Sequence, residues 1–132
     1  MGCATGVSVS FQPDAGWPAG RYTVEIEADD AVQRCEVTLP LRACSAGASA
    51  TCTGASIATI GESGCALPAK QHGLSGVDLG STPSRLRVRV ARDGKPLASV
   101  DATPSYRWVQ PNGPGCGPQC LQAPQQRLAL KF

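Results

Sequence analysis

Arg85-Leu86-Arg87-Val88-Arg89-Val90-Ala91-Arg92-Asp93-Gly94-Lys95-Pro96-Leu97 decides how the rest of the chain is read. Arginine alternates with an aliphatic residue over three periods, which is the pattern of a strand with one dry face and one wet face. Asp93-Gly94 follows where such a strand must reverse, and Asp-Gly is a strong hairpin signal. Leu97 to Thr103 is then the returning strand, ended by Pro104. The same period of two recurs upstream. Val7, Val9 and Phe11 alternate with serines, Tyr22, Val24 and Ile26 with Thr23 and Glu25, and Cys35, Val37 and Leu39 with Glu36 and Thr38. Ala28-Asp29-Asp30-Ala31 joins the second and third of these runs as another hairpin. Ser56 to Gly61 is a weaker strand, and Gln126 to Lys131 is a terminal one.

No stretch has the spacing of an amphipathic helix; Ala66 to Gln71 has room for one turn. The pattern predicts an all-β fold, an antiparallel two-sheet sandwich of about seven strands, immunoglobulin-like or transthyretin-like, with disulfide-linked loops. Residues 1–132 form one domain, and residues 1–5 a flexible or lipid-anchored N-terminus. Three segments read as long loops, Ala43 to Ala55, Glu62 to Ser84 and Gln110 to Pro124, and each carries cysteine.

Composition narrows the function classes. Charged residues are 17% and the net charge is +2, too small to imply a nucleic-acid partner. No apolar run approaches the ~20 residues of a membrane-spanning helix.

Seven cysteines in 132 residues point to an oxidising compartment. The spacings do not fit zinc knuckles and His72 is the only histidine, so no metal is expected. An odd count leaves one over. Cys3 stands out, because Gly2-Cys3 looks like the processed end of a bacterial lipoprotein, where the cysteine receives lipid. The plainer reading is an unpaired thiol. The other six, Cys35, Cys44, Cys52, Cys65, Cys116 and Cys120, admit many connectivities. Proximity favours Cys116–Cys120 and Cys44–Cys52, which leaves Cys35–Cys65 by elimination. Closing that last loop would contribute about 3–4 kcal/mol.

Charge is unevenly spread. Residues 1–36 hold six acids against two bases, and residues 37–132 hold ten bases against four acids. The Arg85, Arg87 and Arg89 row reads either as a solvated face paired across strands with Glu25 and Glu27, or as a patch for an anionic lipid head group or polysaccharide. Trp17, in Pro13-Asp14-Ala15-Gly16-Trp17-Pro18, reads as a loop tip, and Trp17 and Trp108 are candidate binding aromatics. Tyr106 reads as core.

Catalytic constellations are sparse. Cys65 and His72 could form a nucleophile pair, but Cys65 is expected in a disulfide and nothing is placed to orient His72. Gly61-Glu62-Ser63-Gly64-Cys65 imitates a nucleophile elbow with one glycine a place early. Cys116 and Cys120 have three residues between them, one too many for the redox motif. No phosphate loop or dinucleotide fingerprint occurs, and no cofactor is expected.

Ser63-Gly64-Cys65-Ala66-Leu67-Pro68, Arg92-Asp93-Gly94 and Gln110-Pro111-Asn112-Gly113-Pro114-Gly115-Cys116-Gly117-Pro118-Gln119-Cys120 together resemble an uncharacterised group of small bacterial lipoproteins or secreted β-sandwich proteins from GC-rich genomes. The resemblance spans residues 20–130. It implies an envelope location and paired cysteines, and no activity. Val90 to Leu97 is similar, more loosely, to the turn of transthyretin-like and carboxypeptidase-regulatory-like modules, an analogy of fold alone. The expectation is a non-enzymatic cell-envelope protein, a binding or structural subunit of a surface assembly. Its partners would be other envelope proteins or a surface polymer, and it would meet membrane only through a lipid anchor. The alternative is a secreted inhibitor or ligand-binding module that uses Gly113 to Leu121 as a rigid wedge.

Overall fold

The alternation becomes two sheets, because each run has one face to bury and the two dry faces cover each other. The computed structural model describes residues 3–113, 115 and 117–132. Its strands are β1 (Val7–Pro13), β2 (Gly20–Ala28), β3 (Ala31–Leu39), β4 (Thr51–Gly54), β5 (Thr59–Ser63), β6 (Gly73–Leu79), β7 (Leu86–Arg92), β8 (Lys95–Ala102), β9 (Arg107–Val109), β10 (Cys120–Gln122) and β11 (Gln126–Leu130). One sheet runs β4-β3-β2-β7-β8, the other β11-β1-β6-β5, and β9 with β10 forms a separate ribbon. All pairings are antiparallel except β1 with β11.

Both expected hairpins form. Asp29-Asp30 reverses β2 into β3, with Ala28 opposite Ala31. Asp93 (φ 50°) and Gly94 (φ 80°) reverse β7 into β8, both in the left-handed region that a type I′ turn needs. Tyr22, Val24, Ile26, Val88 and Val90 of one sheet meet Val7, Val9, Phe11, Val77 and Leu130 of the other in the core. Each such side chain contributes roughly 1.5–3 kcal/mol by burial.

The three expected loops each contain a strand. β6 is the consequential one, since it lies inside the second sheet. Its glycines hide it from a period-two reading. A Cβ on Gly76 would run into the carbonyl of Val9 on β1, and one on Gly73 into the Trp17 ring. Close approach therefore replaces alternation. The weak fourth strand lies at Thr59–Ser63 instead of starting at Ser56.

The expected disulfide pairing is overturned. The bonds are Cys35–Cys52, Cys44–Cys65 and Cys3–Cys120. Pairing β3 with β4 sets Cys35 directly across from Cys52. Cys44 then turns out on a 3-10 turn (Cys44–Ala46) and meets Cys65. Sequence proximity describes the unfolded chain, whereas cross-strand register decides which sulfurs meet.

Cys3 is likewise not a lipid acceptor or a spare thiol in this structure: its sulfur is bonded to Cys120. Nor are residues 3–5 a loose anchor. Gly6 bridges Gln122 in parallel, Thr5 Oγ1 accepts the Leu121 N–H at 3.2 Å, and Gln122 Nε2 donates to the Ala4 carbonyl at 2.7 Å. Cys116 lies outside the described residues, and the expected Cys116–Cys120 bond is excluded because Cys120 is taken. Three disulfides point to an oxidising, extracytoplasmic environment.

Candidate functional site

Arg87 and Arg89 project from the wet face of β7, Arg85 stands just ahead of its first residue, and two of the three are held by β8. Arg85 and Arg87 both donate to the Asp101 carboxylate on β8, at 3.1 and 2.9 Å. Arg89 pairs with Glu25 on β2 at 3.5 Å. The expected pairing with the glutamate row therefore holds for Arg89. Arg87 stands opposite Glu27 in the ladder but reaches the other way, to Asp101. Asp101 is held down to about 2, first by the hydrogen bond from Arg85 and then by that from Arg87. As a patch for a lipid or polysaccharide anion, the row has its guanidinium groups already engaged. These are exposed pairs, each of little net stability.

Trp17 is not a loop tip. Its ring lies 5.2 Å from Tyr22 and from Phe132 and 6.1 Å from Phe11, and it roofs Gly73. A proline-flanked loop folds it back because this end of the sandwich has an apolar gap that a large ring fills. The Tyr22 hydroxyl donates to the Pro18 carbonyl at 2.7 Å, and burial pushes its pKa up. Tyr106, expected in the core, is half-buried against its edge; its hydroxyl donates to the Pro83 carbonyl at 2.7 Å, and burial raises its pKa too.

Trp108 is the most exposed of the large apolar side chains among the described residues. It sits on β9 with 67% of its surface exposed, across from Leu121 on β10. Three attachments fix the ribbon beneath it. Cys3–Cys120 ties β10 to the N-terminal segment, the Gly6 N–H donates to the Leu121 carbonyl at 3.0 Å, and Tyr106 anchors the entry to β9. Of the proposed wedge 113–121, Pro114 and Cys116 lie outside the described residues. The Asn112 amide donates to the Gly117 carbonyl at 3.0 Å, so the loop is held across its base.

His72 is buried and structural. Nδ1 accepts the Leu41 N–H at 2.9 Å, which leaves Nε2 to donate to the Leu67 carbonyl at 2.8 Å. Its would-be partner Cys65 is bonded to Cys44. The nucleophile pair therefore lacks both a free sulfur and a free imidazole.

Gln33, which sequence reasoning passed over, has a comparable role. Its Oε1 accepts the N–H groups of Ile57 and Ala58, each at 2.8 Å, and its Nε2 donates to the Ala58 carbonyl at 3.0 Å. The signal was available: Gln33 is a polar residue in phase with Cys35 and Val37 on the dry face of β3.

Among the described residues, no group of three or more His, Cys, Asp or Glu is placed to hold a metal ion, and no helix is long and apolar enough to cross a membrane. No known protein family, curated protein or solved structure matches the chain.

Proposed function

We propose that this protein is a non-enzymatic domain of the bacterial cell envelope, secreted rather than lipid-anchored through Cys3, that binds a protein partner through the β9–β10 ribbon. The carrying observation is Trp108, exposed on a ribbon fixed by a disulfide. An exposed tryptophan on a loose loop loses entropy when it docks; on a fixed ribbon that loss is already met by the fold. Tryptophan is also the residue type most enriched among binding hot spots. The bacterial envelope setting rests on the resemblance of the cysteine-bearing segments and on the extracytoplasmic disulfides.

A photo-reactive residue in place of Trp108, in cells that make the protein, tests this. Expected is one discrete cross-linked species, absent when the probe stands at Val32, an exposed apolar residue on the five-stranded sheet. Equal labelling from both positions, or none from Trp108, would refute it. For the partner so captured, Trp108→Ala is expected to weaken binding by about 30-fold or more.

A second reading is an inhibitor that inserts the Gly113 to Leu121 segment into a partner enzyme. The hydrogen bond of Asn112 to Gly117 across the loop base favours it. Loss of the captured partner's own activity on complex formation is the distinguishing result.

A further inference from the structure

The wet face of the five-stranded sheet carries a groove of about 640 Å³ that lies apart from the ribbon. It runs across the strands. Arg34 on β3 stands opposite Glu25 on β2, Glu25 opposite Arg89 on β7, and Arg89 opposite Ser99 on β8. Three strand spacings make this row about 14 Å long. Thr23, Ala91, Pro96 and Leu97 are among the other residues that line it. The concavity has a local cause. Val90 pairs with Ala98 and Ala91 with Pro96, so Leu97 is an extra residue in β8, and a bulge bends the strand there.

Charge in the groove is not balanced. Glu25 engages Arg89 at 3.5 Å, while Arg34 is exposed and has no ion-pair partner among the described residues. One guanidinium fork is therefore open for a planar bidentate acceptor, which a carboxylate supplies.

We propose that this groove binds a carboxylate-bearing glycan, a uronic-acid polymer lying across the strands, with its carboxylate on Arg34 and its hydroxyls on Glu25, Thr23 and Ser99. The groups that face the ligand select this class. On the face of a sheet the backbone donors and acceptors are spent in the ladders between strands, so a peptide would find few partners for its own amides. A glycan needs only side chains for its hydroxyls. The Glu25 carboxylate accepts hydrogen bonds from sugar hydroxyls but repels a dianionic phosphate. Ala91, Pro96 and Leu97 offer a small apolar floor for the C–H face of a sugar ring.

The test titrates the whole protein with a short oligogalacturonate, its methyl ester and an oligoglutamate peptide, followed by backbone amide shifts. Expected are shifts at Arg34, Glu25 and Ser99 with the oligogalacturonate, and none with the uncharged ester. Arg34→Ala is expected to weaken binding about tenfold, the loss of a charge-assisted hydrogen-bond pair, with amide shifts elsewhere unchanged because the side chain is exposed. Arg85→Ala is expected to leave binding within about twofold, since Arg85 is engaged by Asp101 outside the groove. Trp108→Ala is expected to have no effect, which separates this site from the ribbon. No shifts at millimolar oligogalacturonate, equal binding of the ester, tighter binding of the peptide, or an Arg34→Ala protein that binds as before would each overturn the proposal.

Discussion

Removing the Cys3–Cys120 bond should destabilise the protein more than removing either of the others. The bond closes a loop with a sequence separation of 117, against 21 for Cys44–Cys65. In the chain-entropy account, cross-linking stabilises by restricting the unfolded chain, and the effect grows with the logarithm of loop length. The long loop is then worth about 5 kcal/mol and the short one about 3.5 kcal/mol. With an unfolding entropy of about 2.1 cal/mol/K per residue, the whole chain gives about 0.28 kcal/mol/K. Cys3→Ala with Cys120→Ala should therefore lower Tm by roughly 15–20 °C, and Cys44→Ser with Cys65→Ser by about 5 °C less. In the first variant, removing both sulfurs leaves Cys116 no partner at position 120 with which to re-pair. The assay is thermal unfolding by circular dichroism of both double variants beside the wild type. If the Cys3 and Cys120 variant melts above the Cys44 and Cys65 variant, the reasoning fails. The N-terminal segment and the ribbon would then unfold separately from the sandwich, and the bond would not restrict the whole chain.

Three further outcomes are expected. The Asp101 carboxyl, held low by Arg85 and Arg87, should titrate at about 2 by carboxyl-carbon NMR. Because the folded value is depressed, the stabilisation it brings is present above its ordinary 3.8 and is lost as pH falls through about 2. Arg85→Ala should raise the midpoint, and an unmoved midpoint would contradict the assignment. Gln33→Leu strands the Ile57 and Ala58 N–H groups and should cost about 2–5 kcal/mol in urea unfolding; a loss under about 1 kcal/mol would mean those amides find other acceptors. Seven cysteines with three disulfides leave one sulfur, so the denatured, unreduced chain should take up one equivalent of a thiol reagent, on the peptide that contains Cys116. Three equivalents would contradict the pairing.

What the sequence shows depends on how local the cause is. The β2–β3 and β7–β8 hairpins were legible because turn chemistry and alternation lie within the same dozen residues. β6 was not, because Gly73 and Gly76 are fixed by contacts with Trp17 and Val9, more than fifty residues away in the chain. Trp17 misleads for the same reason: the proline and glycine around it describe a turn, while the ring's place is set by Phe11, Tyr22 and Phe132. Trp108, expected as a binding aromatic, does stand exposed, but the disulfide that fixes its ribbon was not legible. Cys3 and Cys120 come together only because the N-terminal segment runs beside β10.

The arginine row shows how far one inserted residue reaches. A two-residue turn at Asp93-Gly94 with an unbroken ladder would set Val100 opposite Arg87. It would also turn Asp101 toward the core, since a slip of one residue exchanges the faces of a strand. The bulge at Leu97 shifts the partners by one, so Arg87 meets Asp101 and Val88 meets Val100. Val100 then packs against the core and Asp101 stands in solvent, where it gathers Arg85 and Arg87. Without that carboxylate, three guanidiniums would share one strand face with Glu25 and Glu27 alone. With it, Arg85 and Arg87 are drawn toward one end of the sheet, and Glu25 is left with Arg89 on one side and the open fork of Arg34 on the other. The same bulge bends β8 beneath Ser99 and hollows the sheet at that row. The end of the arginine row gathered on Asp101 and the groove with an open guanidinium thus have one origin, and a ladder drawn without Leu97 as an extra residue would contain neither.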